Sequence, residues 1–444
     1  MKRLFVFRNL SAFQIILFGF AAIILSGTLL LMLPVSSADH MSCPPSDALF
    51  TATSAVCVTG LVVRDTWSAW SSFGQAVILL LIQTGGMGVV LVVTSIYLLT
   101  GRRISLKQRS TMQDSISAPQ SGGIIRLSSM ILVVLLSAEA LGAILLCPVF
   151  SRDFGIGKGI WFAVFHSVSA MCNAGFDLLG ERGAYSSLVS YGADPVVNLV
   201  IAGLIIWGGL GFLTWRDILS KKIHIGRYTL QSRLILRMTL LLILVPATLF
   251  FFLEFTQGTV PQRLMHSFFT AVTPRTAGFS TVDLNRMSES GRMLMILLML
   301  IGGAPGSTAG GMKVTTFGVL ILSVLSVFRR EKDTNFLNRR IEEDTIRNAM
   351  GIFTMYVLLF LSAALVISRI EALPLLTCLF EAASAIGTVG LTLGITPTLT
   401  LTSRLILIAL MFLGRVGGLT LVFAVIPQMR HGNARRIPEK VTVG

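Results

Sequence analysis

A short apolar segment that ends in a glycine occurs four times along the chain, and a phenylalanine stands ten residues before each of these glycines. Three copies also share a serine six residues before the glycine, where the third copy has Val272. Self-similarity at near-constant spacing indicates a chain built from copies of one structural unit. We therefore predict four related units. The marker pairs are Phe50 and Gly60, Phe165 and Gly175, Phe268 and Gly278, and Phe380 and Gly390.

The composition is that of an integral membrane protein. Of the 444 residues, 53% are hydrophobic and 13% are charged, whereas soluble domains carry about 25% charged residues. Several apolar runs exceed the roughly 20 residues that cross a bilayer as a helix. The first, residues 11–33, is too long for a signal peptide and lacks a cleavage site, so we predict a retained span.

Each unit contains two long apolar runs with a short one between them. The short runs have about 12 to 14 residues, too few to cross the hydrocarbon, so they are predicted to be re-entrant. The fold class is thus an all-α membrane protein of four fused span–pore-loop–span repeats around one pore, with pseudo-fourfold symmetry. The predicted repeats are 1–100, 101–219, 220–328 and 329–444. The predicted runs are 11–33, 45–57 and 73–100; 127–150, 160–171 and 195–219; 232–255, 261–272 and 293–328; and 348–370, 373–386 and 403–427.

The net charge of +15 does not indicate nucleic-acid binding, because the basic residues lie between the apolar runs. They occur before the first run, in segments 101–126, 216–237 and 329–347, and in the tail. These segments share one side of the membrane only if the short runs are re-entrant. The positive-inside rule makes that side cytoplasmic, together with both termini, and the re-entrant turns then open to the outside.

The residues that end at each repeat glycine have the chemistry of a carbonyl-lined ion filter. Irregular backbone at membrane depth must be buried in protein or line a wet cavity, and four such turns can do both by meeting at one axis. Their carbonyls would replace the hydration shell of a cation, and the turns carry no acidic residue of the kind that forms a charged ring. Cys57 and Cys172 lack metal-ligand spacing and are read as small packing residues. Glu381 precedes its turn and is predicted to be a hydrogen-bond partner. The candidate filter residues are Cys57, Val58, Thr59, Gly60, Cys172, Asn173, Ala174, Gly175, Arg275, Thr276, Ala277, Gly278, Gly387, Thr388, Val389 and Gly390.

The last long run of the third unit, residues 293–328, is too long for one straight span and is interrupted by small residues. We predict a broken helix whose loop lies beneath the filter. It is not a phosphate-binding loop, because Met312 separates Gly311 from Lys313 and no strand precedes it. Arg415 is a second outlier, a cation in an apolar run, which is either an electrostatic barrier to cations or a structural donor to loop carbonyls. Arg275 has either an orienting role at the outer mouth or a structural ion pair.

Four span–loop–span units with one glycine per loop, a Thr-Pro-Arg-Thr-Ala-Gly-Phe third loop and a Gly-Arg-x-Gly last helix resemble the Trk/Ktr/HKT potassium transporters. The short N-terminus resembles the KtrB-type membrane subunit. The resemblance implies K⁺ uptake across a bacterial inner membrane, often promoted by Na⁺, by a homodimer with a cytosolic KtrA-like nucleotide-binding regulatory ring. It also implies that the broken segment is the intramembrane gate. The candidate gate residues are Gly302, Gly303, Ala304, Pro305, Gly306, Ser307, Thr308, Ala309, Gly310, Gly311, Lys313 and Arg415.

Two other function classes remain open on the residues alone. An alternating-access cation symporter would show broken helices in paired halves, whereas a fourfold repeat dominates here. A membrane enzyme lacks support, since we find no paired buried acids, no histidine cluster and no nucleophile motif. The chain has no cytosolic domain large enough for a nucleotide, so nucleotide control is expected to come from a partner. Membrane lipid is the other expected partner, and the sequence does not locate a Na⁺ site.

Overall fold

The computed structural model describes residues 11–92, 94, 110, 111, 113 and 123–418. Each unit has a long outer helix, a short helix, an extended turn and an inner helix. The outer helices are Ala12–Leu31, Ile124–Phe154, Leu230–Leu249 and Glu343–Glu371. The short helices are Pro45–Val56, Ile156–Met171, Val260–Val272 and Leu375–Gly387. The inner helices are Ser72–Met87, Pro195–Gly209, Glu289–Met299 and Leu401–Val416.

Two further helices, Phe212–Lys221 and Val314–Phe328, continue the inner helices of units 2 and 3 beyond a break. A two-residue hairpin, Asn335–Phe336 against Arg339–Arg340, precedes the fourth outer helix. The predicted ends of the first and fourth inner runs, 93–100 and 419–427, lie wholly or almost wholly outside the described residues, as do the rest of the tail and most of segment 101–126.

Helix starts follow from local capping chemistry. The inner helices of units 1, 2 and 3 each begin after a residue whose side chain accepts a backbone N–H of the first turn, namely Ser71, Asp194 and Ser288. Such caps satisfy donors that the helix leaves free. The first and third short helices carry proline in their first turn, where the missing N–H costs nothing. The positions of these helices are therefore determined largely by local sequence.

The inner helices are not the continuous spans predicted for units 1, 2 and 4. Each breaks at a glycine with φ between +82° and +88°, namely Gly88, Gly211 and Gly417. At Gly211 the two helical parts meet at 100°. Three residues before each break, Gly85, Gly208 and Gly414 press against carbonyls at the end of their own short helices and leave no room for a Cβ. In unit 3 the predicted break is present and opens into residues 300–313.

Because of these breaks, only the outer helices are long and apolar enough to cross a membrane as single described helices. There are four of them, or five spans if the bent pair Pro195–Gly209 and Phe212–Lys221 is counted as one. Their exposed faces carry large aliphatic side chains, including Leu29, Leu136, Leu244 and Leu361. Such continuous apolar surface is what a lipid environment requires.

The first and fourth units are joined by an ionic contact. Asp47, in the first turn of the first short helix, accepts from Arg404 of the fourth inner helix at 2.8 Å and from Arg64 at 2.8 Å. Both arginines are partly shielded, with 18% and 33% of their side chains exposed. This contact links the first unit directly to the fourth.

Candidate functional site

The four glycine turns, which we define as residues 57–60, 172–175, 275–278 and 387–390, meet in a closed ring. A Cβ built on Gly60 would lie 2.5 Å from the carbonyl oxygen of Ala174, and one on Gly175 would lie 2.9 Å from that of Ala277. One on Gly278 would lie 2.5 Å from the carbonyl oxygen of Val389, and one on Gly390 would overlap that of Thr59. Each repeat glycine thus faces the next turn in chain order, and the fourth faces the first.

The backbone of all four turns has the same unusual conformation. The repeat glycines have φ between +71° and +93°. The residue two positions earlier also has positive φ in each turn, although none of these residues is glycine: Val58 at 50°, Asn173 at 56°, Thr276 at 64° and Thr388 at 50°. Positive φ is costly for β-branched residues and is retained where function requires it. The two positive φ values in each turn change the direction in which successive carbonyl groups point.

The carbonyl groups of these turns are available for a ligand. Within the part of the chain that the structure describes, no hydrogen bond uses the carbonyl oxygen of the repeat glycine or of the two residues before it, in any turn. Buried backbone carbonyls are normally paired. The unpaired groups therefore gather at the point where the four glycines approach each other.

Hydroxyl side chains hold the turns from behind. Ser54 and Ser384 accept the N–H groups of Gly60 and Gly390 at 3.0 Å. Ser169 donates to the carbonyl of Phe176 at 2.8 Å. In unit 3 this role belongs to Thr273, which donates to the carbonyl of Phe279.

In unit 3 one residue fewer separates the short-helix hydroxyl from the repeat glycine, five between Thr273 and Gly278 against six between Ser54 and Gly60, so the alignment on Phe268 was wrong. The buried phenylalanine of that short helix is Phe269, 1% exposed, whereas Phe268 is half-buried. Phe269 precedes Thr273 by four residues, as Phe50 precedes Ser54. The counterpart of Glu381 in unit 3 is therefore Thr270, the residue after Phe269. Glu381 itself accepts from Thr392 at 2.9 Å and from Thr396, as predicted for a hydrogen-bond partner.

Arg275 lies behind the third turn and forms no ion pair among the described residues. Its guanidinium is buried and donates to Thr239 of the outer helix, at 3.4 Å to the carbonyl and 3.3 Å to Oγ1. Its own carbonyl accepts from Asn173 Nδ2 at 3.1 Å, which ties the second turn to the third. Cys57 and Cys172, at the equivalent position of units 1 and 2, are fully buried.

The 302–313 loop lies directly against the glycine turns. Its base is closed by bonds from Gly302 N–H to Met312 O at 2.7 Å and from Val314 N–H to Gly303 O at 2.9 Å. A Cβ on Gly310 would overlap Thr388 Oγ1, and one on Gly311 would lie 2.8 Å from the carbonyl of Gly387. Small residues are required here because the loop and the fourth turn leave no space between them.

Although it belongs to unit 3, the 302–313 loop is bound to the inner helices on either side. Ala304 N–H donates to Gly209 O at 2.9 Å, and Phe212 N–H donates to Gly306 O at 2.6 Å, both in unit 2. Gly311 N–H donates to Gly414 O of unit 4 at 3.1 Å. Units 2 and 4 are the two neighbours of unit 3 in the ring, so the loop joins three consecutive units next to the glycine turns. Pro305 and Ser307 also border a cavity of about 770 Å³ below the loop.

Arg415 and Lys313 both donate to carbonyls of this region. Arg415 bonds the carbonyl of Thr308 in the loop and those of Gly85 and Gly86 on the first inner helix, the last at 3.0 Å. Lys313 Nζ donates to the carbonyls of Ala309 at 2.8 Å and Gly310 at 3.5 Å. Arg415 therefore ties the loop to unit 1, while Lys313 holds the loop's own end.

A polar cluster between units 1 and 2 was missed from the sequence. Glu139 of the second outer helix is buried and accepts from Gln83 Nε2 at 3.2 Å, and its Oε1 lies 3.9 Å from Cys172 Sγ. The position in unit 1 that corresponds to Glu139 is Ile24. Gly142 lies three residues after Glu139 and Gly27 three residues after Ile24, and the two glycines contact equivalent leucines of the inner helices. The sequence feature that could have revealed this cluster is the carboxyl group of Glu139 within an apolar run.

An acidic residue follows the second turn. Asp177, two residues after Gly175, accepts the N–H of Leu179 at 3.0 Å. Burial, together with nearby Asp65, raises the pKa of Asp177 to about 7, against the lowering effect of the Leu179 bond. The carboxyl is therefore neutral below pH 7 and negative above it.

We expect any cation flux past the four turns to rise as the pH on the Asp177 side increases through about 7, because ionised Asp177 attracts cations. Initial ⁸⁶Rb⁺ uptake measured against external pH, at fixed internal pH, should show this step. Asp177→Asn should flatten it, whereas Asp283→Asn, at an exposed acid after the third turn, should leave it intact. A step of unchanged size in Asp177→Asn would contradict the assignment.

Comparisons with known proteins agree with this architecture. A family model described as "TrkH: Cation transport protein" matches residues 6–434. The chain is 40% identical over 443 residues to "Potassium/sodium uptake protein NtpJ" of Enterococcus hirae, covering 98% of this chain and 97% of that protein. It is 38% identical over 417 residues to "Ktr system potassium uptake protein B" of Bacillus subtilis, covering 93% of this chain and 92% of that protein.

A solved structure shows the same fold. The crystal structure of the potassium transporter TrkH from Vibrio parahaemolyticus has a TM-score of 0.74 with 20% sequence identity, covering 95% of this chain and 86% of that one. The predicted fold class, an all-α multi-pass membrane protein with four pore-loop repeats, is confirmed.

Proposed function

Because this chain belongs to the TrkH cation transport protein family, whose members are ion transporters and not enzymes, we propose that it takes up K⁺ across a bacterial inner membrane. The four glycine turns are the selectivity filter. The observation that carries this proposal is the closed ring in which each repeat glycine faces a carbonyl of the next turn. Relatives named for potassium, or for potassium and sodium, support the choice of ion.

The chemistry of the ring supports an alkali-metal cation. Its ligands are neutral carbonyl oxygens with no internal hydrogen bond, and no described acid lies within the four turns. A filter of this kind replaces the hydration shell of a weakly hydrated ion, whereas charged rings suit other cations. The short helices end at the ring, so their negative dipole ends point to the ion. Na⁺ is then the cation that we expect to compete with K⁺ at the filter or to promote K⁺ uptake.

The 302–313 loop is the gate in this proposal. It is bound to units 2 and 4 and lies directly against the fourth turn, and the candidate gate residues Gly302 to Gly311 and Lys313 all lie in it or at its base. Arg415 tethers it to unit 1. An ion that leaves the ring must displace this loop before it reaches the cavity below.

Regulation is expected from outside the chain. Basic segments 216–237 and 329–347 both border the cavity below the loop, through Gln231, Phe336 and Arg340. They also touch each other, since the Arg237 guanidinium lies 5.5 Å from the Phe336 ring. We propose that this face is cytoplasmic, with the termini, and receives a KtrA-like nucleotide-binding ring, and that the transporter is a homodimer in membrane lipid.

The test is cation flux in proteoliposomes with imposed membrane potential. We expect K⁺ and Rb⁺ uptake to exceed Na⁺ uptake and to follow the K⁺ gradient and the potential. Empty liposomes give the background. Equal Na⁺ and K⁺ flux would contradict the filter, and flux stoichiometrically coupled to a second cation would favour an alternating-access symporter.

A further inference from the structure

The loop that joins unit 2 to unit 3, residues 222–229, exposes two isoleucines. Ile223 is 91% exposed and Ile225 is 58% exposed. Leu219, on the helix that leads into the loop, is 50% exposed. Single exposed aliphatic residues are ordinary, but three within seven residues indicate a surface that a partner covers.

The backbone of this loop is held in one conformation by buried side chains. Asp217 is buried and accepts from the N–H and the Oγ1 of Thr229, both at 2.8 Å, which closes the base of the loop. Tyr228 is also buried, and its hydroxyl donates to the carbonyl of Lys222. Lys222 has a φ of 47°, which is costly outside glycine and is retained where the surroundings enforce it. The isoleucines are therefore kept at the surface by the fold of the loop.

The loop lies beside the start of a membrane-spanning helix. Arg233, in the first turn of the third outer helix, donates to the carbonyl of Gly226 at 2.7 Å and to that of Tyr228 at 3.0 Å. Near the other end of this span, Leu253 is 73% exposed, as in a lipid-facing position. Roughly 20 residues cross the hydrocarbon as a helix, and that number counted back from Leu253 reaches Arg233. The loop is therefore at the boundary between hydrocarbon and headgroups.

The helix that leads into the loop has the direction of an interfacial helix. Phe212–Lys221 meets Pro195–Gly209 at 100°, so it turns away from the membrane-crossing direction toward the plane of the membrane. Its first half is buried, whereas Arg216 and Leu219 in its second half are exposed. Helices in this position bind lipid through apolar side chains that insert and through cations that bind headgroups.

Free cations flank the exposed isoleucines. Within the part of the chain that the structure describes, no ion pair involves Arg216, Lys222 or Arg227. Asp217 is the one acidic residue between positions 212 and 229, and it is paired with Lys221 at 2.7 Å. Cations next to a membrane span attract anionic lipid headgroups.

We propose that the 222–229 loop is a binding site for anionic phospholipid. Ile223 and Ile225 insert between the acyl chains, while Lys222 and Arg227 bind headgroup phosphates. The depth of the loop decides between lipid and an acidic protein surface, because at this boundary a lipid supplies acyl chains and phosphates together. The inference requires only that the chain lies in a membrane, so it is independent of the proposed filter and gate.

The first test is the accessibility of a nitroxide label at Ile223→Cys, in the full-length protein reconstituted into vesicles of phosphatidylcholine and phosphatidylglycerol. We expect oxygen, which concentrates in lipid, to reach the label more readily than a water-soluble nickel chelate. Leu244→Cys, at a leucine that is 54% exposed on the same outer helix, is the lipid reference. Arg286→Cys, at a side chain that is 88% exposed after the third turn, is the water reference. The parent, labelled in the same way, gives the background from the native cysteines.

Three outcomes of this measurement are distinct. Preferential access of oxygen supports insertion into lipid. Preferential access of the nickel chelate places the loop in water, and weak access of both reagents means that protein covers it. Either of the last two results overturns the inference.

The second test concerns the headgroup. The thermal unfolding midpoint of the detergent-purified protein is titrated with phosphatidylglycerol, phosphatidylcholine or inorganic phosphate. We expect phosphatidylglycerol to raise the midpoint most. For Arg227→Gln, the lipid concentration at half-maximal stabilisation should rise about fivefold, and further when Lys222→Gln is added. Arg227→Lys, which retains the charge, and Arg286→Gln should titrate like the parent.

The same titrations can refute the proposal. Curves for Arg227→Gln and for the double variant that superimpose on the parent would remove the headgroup contact. Equal stabilisation by inorganic phosphate would identify a site for a free anion instead of lipid. Equal stabilisation by phosphatidylcholine would show that the cations play no part in binding.

Discussion

Substitution of Gly390 by alanine is expected to abolish most of the selectivity for K⁺ over Na⁺. The new Cβ would overlap the Thr59 carbonyl oxygen and lie 2.9 Å from Gly60 Cα, so one side of the ring must open. The φ of +93° adds roughly 1–2 kcal/mol of strain for an L-residue. If the displacement costs K⁺ binding about 1.4 kcal/mol more than Na⁺ binding, selectivity falls about tenfold. Competition of Na⁺ against ⁸⁶Rb⁺ uptake measures this.

A second glycine provides a close control for the backbone strain that alanine would introduce at Gly390. Gly394 is four residues further along, has φ of +89°, and a Cβ there meets nothing within 4 Å. Gly394→Ala therefore carries the same backbone strain without the clash. We expect near-parental selectivity in Gly394→Ala. Equal loss in both variants would mean that backbone strain, and not the closed ring, accounts for the effect. Gly→Ser at Gly60, Gly175 and Gly278 should act in the same direction as Gly390→Ala.

Removal of the Arg415 side-chain charge is expected to raise flux strongly. Arg415→Gln loses the charged donor that links Thr308 to Gly85 and Gly86. Hydrogen bonds from charged groups contribute about 1.5–3 kcal/mol. If closure loses about 2 kcal/mol, the ratio of open to closed loop rises about thirtyfold. Initial uptake rates in proteoliposomes, normalised to protein in the membrane, provide the measurement.

Arg415→Lys distinguishes the two roles that the sequence left open. Lysine keeps the positive charge but cannot span the carbonyls of the loop and of the first inner helix with a planar fork. If the tether controls flux, Arg415→Lys should behave like Arg415→Gln. If the charge alone is the barrier, Arg415→Lys should remain as slow as the parent. Parental flux and unchanged Na⁺ dependence in Arg415→Gln would remove Arg415 from gating altogether.

Much of the architecture was accessible from the sequence, because it rests on signals that are local or repeated. The four glycines, the length of the short runs and the position of basic residues predicted re-entrant turns, and the small-residue run at 302–311 predicted the third break. These features depend on chain length and backbone freedom, which a sequence displays directly.

Other features depend on contacts that a single sequence does not display. The breaks at Gly88, Gly211 and Gly417 each follow by three residues a glycine at which the inner helix packs closely on its own short helix. The missing residue between the third short helix and its glycine could not be located from the sequence, because Phe268 and Phe269 are adjacent and only their burial distinguishes them. The Glu139–Gln83 pair joins two units, so its partner could not be identified from either residue alone.

The 302–313 loop has a consequence for how such a protein can be assembled. The loop belongs to one unit, but it is bound to the inner helices of both neighbouring units and lies against the fourth turn, where Gly310 and Gly311 leave no room for a side chain. Four identical subunits would each have to carry both the loop and the two surfaces that receive it. Covalent fusion of the four quarters lets them diverge, so one quarter can carry the loop while its neighbours supply the surfaces on which it rests.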